Sequence, residues 1–255
     1  ASRYSATVAG GYFNIDTSQY GTVSGGYSNI AGGFSTTIAG GWHNTTSGGW
    51  ATVAGGYYNT ASYDYSTVAG GYYNTATGEY AIVGGGYADT VKAYFGGVFS
   101  GYNNLAGEAA ADTAAVVCGG YNNTASAKYA FIGGGFNNIA SGNYATVGSG
   151  WVNTASNWYA TVAGGCHNNA TGFYGATVGG GYYNTASGYY ASVGGGNHNT
   201  ASYDVATVAG GSYNAASGWA ATVAGGRADT ASADYSFATN YSTKVNATDT
   251  FSAAF

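Results

Sequence analysis

The chain repeats itself every fifteen residues, and that period restricts its fold more than any other feature. The unit is clearest within Trp50 to Tyr65, WATVAGGYYNTASYDY, and an aliphatic residue marks its centre at Val8, Val23, Ile38, Val53, Val68, Val83, Val98, Val117, Ile132, Val147, Val162, Val178, Val193, Val208 and Val223. Two steps depart from the period: Val98 to Val117 is nineteen residues and Val162 to Val178 is sixteen. A period held this strictly marks a solenoid, in which one repeat is one coil and buries its apolar face only against the coils above and below.

Positions are counted here from the central Val as 0. Strand alternation predicts that Ala at −2, Val at 0 and Gly at +2 share one face, with Tyr at −3, Thr at −1 and Ala at +1 on the other. Gly-Gly at +2 and +3 turns the chain, because glycine takes positive φ freely. In the second half Asn at +6 and Ala at +8 face one way, Thr at +7 and Ser at +9 the other, before a second turn. Helix is excluded: 47 glycines at this spacing would each cost about 1 kcal/mol relative to alanine. The expected fold is all-β, a parallel β-roll or β-solenoid of about fifteen to sixteen coils, and at about 4.8 Å per coil its body is on the order of 75 Å long.

Residues 1–234 read as one solenoid. The four extra residues near 106–112 go to a turn, where solenoids accept insertions, so Gly107 to Asp112 is expected to protrude. Residues 235–255 degenerate from the repeat and read as a terminal coil, cap or joint. The chain begins with Ala and contains no Met, as a processed chain or a fragment would.

Charged residues are 6% of the chain, five basic against ten acidic, which argues against a nucleic-acid partner, since that needs clustered basic charge. No apolar run approaches the roughly 18 residues of a membrane span. Cys118 and Cys166 lie three coils apart, too far for a bridge within one chain, and read as fillers in their columns. His43, His167 and His198 share one column but are at least two coils apart, so no metal site is expected. Scattered acids offer no paired carboxylates or nucleophile constellation, and the chain is read as a non-enzyme without cofactor.

Stacking puts like residues on like. Asn14, Asn29, Asn44, Asn59, Asn74, Asn104, Asn123, Asn138, Asn153, Asn168, Asn184, Asn199 and Asn214 are expected to form an amide ladder bonded along itself and to the turn backbone. Outward aromatics form one column through Tyr12, Tyr27, Trp42, Tyr57, Tyr72, Tyr87, Tyr102, Tyr121, Phe136 and Trp151, and a second through Tyr20, Trp50, Tyr65, Tyr80, Phe95, Tyr129, Tyr144, Tyr159 and Tyr190. One Val and two Ala per coil make a thin core, so the first aromatic column is the candidate surface for self-association, with glycan stacking as the other use of such rings. Thr at −1 and +7 forms two more rows, which raises ice binding as an alternative, although β-propensity explains them equally.

Units such as Tyr144-Ala-Thr-Val-Gly and Asn184-Thr-Ala-Ser-Gly resemble the head repeats of trimeric autotransporter adhesins, with their Ser-Val-Ala-Ile-Gly and Ala-x-Ala-x-Gly pattern. Tyr235-Ser-Phe-Ala-Thr-Asn resembles the end of such heads in adhesin-like and tail-fibre-like proteins. The likeness covers about residues 4–250. It implies a left-handed parallel β-roll, three chains side by side, a cell-surface location, and adhesion or fibre building. The Asn-x-Val-x-Gly coils of grass ice-recrystallisation inhibitors are similar too. The expected function is thus that of an extracellular structural or adhesive protein, an adhesin head or filament subunit. Its expected partners are copies of itself, as a homotrimer or filament, and surface glycans or matrix.

Overall fold

The computed structural model describes residues 4–109, 112–248 and 251–253. It is all-β, with no helix among the described residues, and winds as a parallel solenoid of about sixteen turns of about fifteen residues. Two compact units, Ala1–Tyr129 and Ala130–Phe255, are built from the same coil.

Each coil contributes two short strands, as in Thr52–Val53 and Thr60–Ala61. Strands of equivalent position pair in parallel with no shift: Thr52 opposes Thr67 and Val53 opposes Val68, while Thr60 opposes Thr75 and Ala61 opposes Ala76. In the second unit Thr161 opposes Thr177 and Val162 opposes Val178, so the sixteenth residue between them is absorbed outside the strand. The strand N–H groups point to the following coil, Thr52 N donating to Ser66 O at 2.9 Å and Thr60 N to Asn74 O at 2.8 Å.

The core lies between the two sheets of each unit. Ala at −2 and Val at 0 come from one sheet, Asn at +6 and Ala at +8 from the other; Ala51, Val53, Asn59 and Ala61 are all fully buried. Thr at −1 and +7 faces out, as alternation requires. The expectation for Gly at +2 fails, however. Gly55 is half-buried, and a Cβ built on it meets nothing within 4 Å. The turn therefore begins one residue earlier than strand alternation would place it. The second glycine is the demanding one. Gly56 has φ +91°, and a Cβ there would lie 2.3 Å from Gly71 O and 2.5 Å from Asn59 Nδ2.

The Asn column explains that tightness. Asn59 Nδ2 donates to Gly55 O at 2.9 Å in its own turn and to Gly71 O at 3.0 Å in the next coil. Its Oδ1 accepts the backbone N–H of Asn74 at 2.9 Å, while its own N–H goes to Asn44 Oδ1 at 2.9 Å. One buried side chain thus satisfies the carbonyls of two glycine turns and the N–H of the next Asn, leaving no unpaired polar group to penalise burial. The same pattern holds in the second unit through Asn153, Asn168, Asn184 and Asn199.

Two members of the column are aspartates. Asp89 Oδ1 accepts from Asn104 N at 2.8 Å and from Asn104 Nδ2 at 3.0 Å. Its Oδ2 takes the place beside Gly86 where an amide nitrogen would sit, and both Asp89 Oδ2 and Asp229 Oδ2 are buried without a partner. Burial pushes the Asp89 carboxyl above its ordinary pKa, against the lowering effect of the Asn104 hydrogen bonds.

The nineteen-residue step places its extra residues in the second turn. Gly107 does not protrude: it is buried in the stack and donates to Ala125 O at 2.7 Å. Glu108 and Ala109 are exposed, and their N–H groups converge on Asp112 Oδ2 at 3.0 and 3.1 Å. Ala110 and Ala111 lie outside the described residues. At the other end the degenerate segment still coils, with Phe237–Tyr241 pairing with Thr222–Arg227 across a register shift and Phe251–Ala253 pairing with Phe237–Thr239.

Two outcomes are expected. Gly55→Ala changes stability by no more than about 0.5 kcal/mol, whereas Gly56→Ala costs more than about 3 kcal/mol, because only the latter meets both positive φ and a backbone clash; denaturant unfolding of the two variants checks this. For Asp89 the folded pKa is raised, so its stabilising neutral form is fully present below the ordinary carboxylate range of about 4 and is lost as pH rises through the folded pKa. Asp89→Asn restores the two donated bonds, so its melting temperature should exceed that of the unaltered protein at neutral pH, with the difference shrinking on acidification.

Candidate functional site

Each coil turns at two corners, at +5 and at −3, where the backbone is left-handed at residues that are not glycine. Tyr58 has φ 54° and Tyr65 has φ 58°. Such a conformation costs an L-residue roughly 1–2 kcal/mol, and it is held by reversed hydrogen bonds: Tyr58 N donates back to Trp42 O at 2.9 Å and Tyr65 N to Gly49 O at 2.8 Å. A corner changes which way side chains point. Strand alternation would send neighbouring Tyr57 and Tyr58 to opposite faces, yet both stand outside. Aromatic residues therefore line both edges of the flattened coil.

The expected first column is present as two segments, one in each unit. Tyr12, Tyr27, Trp42, Tyr57, Tyr72, Tyr87, Tyr102 and Tyr121 are joined by successive backbone bridges in the first unit, and Phe136 and Trp151 by another in the second. The quality of stacking varies along it. Tyr27 and Trp42 are tilted by 33° and Trp42 and Tyr57 lie 6.1 Å apart. From Tyr57 the rings become nearly parallel: centroids are 4.7 Å apart to Tyr72, 5.1 Å from Tyr72 to Tyr87, 4.7 Å to Tyr102 and 4.8 Å to Tyr121, with interplanar angles of 3–8°. Phe136 and Trp151 meet edge to face at 71°, so the uniform stack expected there does not form. Beyond Trp151 the column passes to Cys166, Tyr182, Asn197, Ser212 and Arg227.

The second column stacks closely at Trp50, Tyr65 and Tyr80, with centroids 5.0 and 4.7 Å apart at 1°, and at Tyr144 and Tyr159, 4.8 Å apart at 5°. It is interrupted at the sixteen-residue coil. Gly175, φ +64°, takes the corner, and a Cβ on it would lie 2.6 Å from the Tyr190 ring; Tyr174 instead reaches Tyr159 at 4.9 Å. Phe173 is displaced outward there and is 70% exposed.

A third column runs at +5; the sequence places His43, His167 and His198 in it but does not mark the tyrosines that join them. His43, Tyr58 and Tyr73 stack in the first unit, at 4.7 and 5.2 Å. His167, Tyr183, His198 and Tyr213 stack in the second, at 4.5, 5.1 and 4.9 Å. The signal is the pair of side chains before each column Asn, such as Tyr57-Tyr58 and Trp42-His43, which alternation alone assigns to opposite faces. His198 lies between the faces of Tyr183 and Tyr213, while His43 and His167 each cover one tyrosine face, Tyr58 and Tyr183. Among the described residues no group of three or more His, Cys, Asp and Glu is placed to hold a metal.

Parallel stacking decides what the surface offers. Each ring in the Tyr57–Tyr121 run covers its neighbour's face, so edges and hydroxyls face solvent. That is a poor platform for a sugar, which lies on an exposed ring face, and it leaves a row of ring edges that a second row of equal spacing can meet in register. Desolvation within the stack, then the phenols of Tyr73, Tyr57 and Tyr87, hold the Tyr72 hydroxyl above its ordinary pKa. Tyr80, Tyr159, Tyr182 and Tyr190 are raised in the same direction, again first by desolvation. These five phenols therefore stay uncharged through neutral pH.

Cys118 and Cys166 are free thiols, both half-buried. Among the described residues no helix is long and apolar enough to cross a membrane. A scan against protein-family models finds no match to this sequence, and a search of curated proteins finds no relative of it.

Proposed function

We propose that this chain is a non-enzymatic extracellular structural or adhesive protein, whose solenoid coils associate with copies of themselves through the aromatic columns to make an adhesin head or a filament. The observation that carries the reading is the run of parallel, half-exposed tyrosines on the coil edge, spaced 4.7–5.1 Å apart. A surface with that period is matched by another surface of the same period, and a second copy supplies one. The buried part of each coil supports the same view: Val, two Ala and one Asn are small, while the large aromatic side chains stand on the outside. Resemblance to the head repeats of trimeric adhesins agrees with this reading and suggests three chains.

Ice binding is the weaker alternative. Outward Thr rows are interrupted in the first unit by Ile15, Ile30, Ile82, Gly97, Leu105 and Val116, and in the second by Phe131, Ile139, Asn169 and Ala215. Several of the interrupting side chains stand prominently in solvent, Ile15 at 48% and Ile82 at 47% exposed, and would hold a flat lattice off the hydroxyls.

Replacing Tyr57, Tyr72 and Tyr87 together by Ser removes three stacked rings, each pair worth about 0.5–1.5 kcal/mol, and should weaken association by at least about tenfold with the circular dichroism of the coil unchanged. Light scattering across a concentration series reads the outcome; an unaltered protein that stays monomeric at high concentration contradicts the proposal. At micromolar concentration the protein should neither shape ice crystals nor slow their recrystallisation, and clear faceting in a nanolitre osmometer would favour the alternative.

A further inference from the structure

The tyrosine run has a chemical consequence that does not depend on association. Tyr57, Tyr72, Tyr87, Tyr102 and Tyr121 are five phenols in unbroken contact, each within 5.1 Å of the next, with planes within 8° of parallel. From Tyr72 onward they are 37–45% exposed, so a one-electron oxidant can reach them. Crowding at their side also falls away: the +5 neighbours change from Tyr58 and Tyr73 to Ala88, Asn103 and Asn122, and a surface cavity of about 300 Å³ opens along these last three. At +5 beside Tyr102 and Tyr121 the side chains are Asn rather than rings, which lets these rings swing on that side about the Cβ–Cγ bond from face-to-face to side-by-side. Backbone spacing of about 4.8 Å between coils keeps two such rings close enough for their ortho carbons to meet.

We propose that this run is an oxidative modification site, at which tyrosines of successive coils are joined as dityrosine by hydrogen peroxide acting through a peroxidase-type catalyst. Two phenols each lose one electron and one proton, giving two phenoxyl radicals, and the peroxide takes up both electrons and both protons to leave two waters. The radicals couple through one new carbon–carbon bond between ortho positions, and each ring then moves its ortho hydrogen to oxygen to restore the phenol. Every link ties one coil to the next, across the direction in which the stack would otherwise peel apart. The Tyr72 phenol is held neutral by the stack, which keeps its hydrogen available to be lost with the electron.

The test treats the whole protein, dilute enough to be single chains and as an equal mixture of unlabelled and nitrogen-15 forms, with hydrogen peroxide and a haem peroxidase, then maps peptic peptides by mass spectrometry. The expected links are Tyr57–Tyr72, Tyr72–Tyr87, Tyr87–Tyr102 and Tyr102–Tyr121, within one isotopic form, with dityrosine fluorescence. Every one of these pairs contains Tyr72 or Tyr102. The double variant Tyr72→Phe with Tyr102→Phe keeps the stacked rings but leaves no two adjacent phenols within the run, and should lower these links at least tenfold. Unfolding in urea before oxidation should abolish the preference for neighbouring coils. Links found mainly between isotopic forms, links scattered without regard to the column, or an undiminished yield in the double variant would each overturn the proposal.

Discussion

Everything in this coil depends on a buried amide. A turn of two glycines exposes carbonyls that cannot be left bare between stacked coils, and a side chain with two donors and one acceptor at a fixed distance is needed to meet them. Asn at +6 does this in its own coil and the next at once, as Asn59 shows with Gly55, Gly71 and Asn74. The requirement propagates outward. Because Nδ2 fills the space inside the turn, no side chain fits at Gly56; because the turn is that tight, the chain must reverse at a left-handed corner immediately afterwards, at Tyr58. Leaving that corner, Asn59 and Ala61 point inward and Thr60 outward, which restores alternation for the second strand.

The corners, in turn, create the surface. A left-handed residue at +5 brings the side chains at +4 and +5 to the same outer edge, and repetition at coil spacing converts each position into a column. Rings set at that spacing stack on one another first, as at Tyr87–Tyr102, 4.7 Å apart at 5°. Where the coil length changes, the columns change with it: the extra residue at Gly175 lets Tyr190 fold over the corner and pushes Phe173 into solvent. Coil geometry and surface chemistry are therefore one property of the repeat, and a single inserted residue is enough to alter both.

Most of the fold was legible in the sequence because a strict period fixes register, and alternation correctly buried Ala51, Val53, Asn59 and Ala61. The misreadings all fall at corners. Gly55 was placed inside and lies half out, since the strand ends at Val53 rather than running on to it. Tyr58 and Trp50 in the left-handed region carry no turn signature of their own; the reversed hydrogen bonds that hold them come from neighbouring coils and are invisible within one repeat. Backbone bridges join Tyr12 through Tyr121 in one unit and Phe136 with Trp151 in the other, but a strict period does not foretell the edge-to-face meeting of Phe136 and Trp151, nor the tyrosines that stack with His43, His167 and His198. Asp89 stands in the Asn column at a position the sequence alone does not mark out. Only the packed turn shows that its second oxygen stands where a donor is required.

The Asn ladder, rather than the strands alone, holds the coil. Amide hydrogen exchange followed by nuclear magnetic resonance tests it directly, because the Asn backbone N–H donates to the preceding Asn side chain and not to a strand carbonyl. The backbone and side-chain amide hydrogens of Asn59, Asn74, Asn153 and Asn168 should exchange as slowly as the strand N–H groups of Thr52 and Thr60. Rapid exchange of those asparagines at the rate of exposed turns, with the strands still protected, would contradict it.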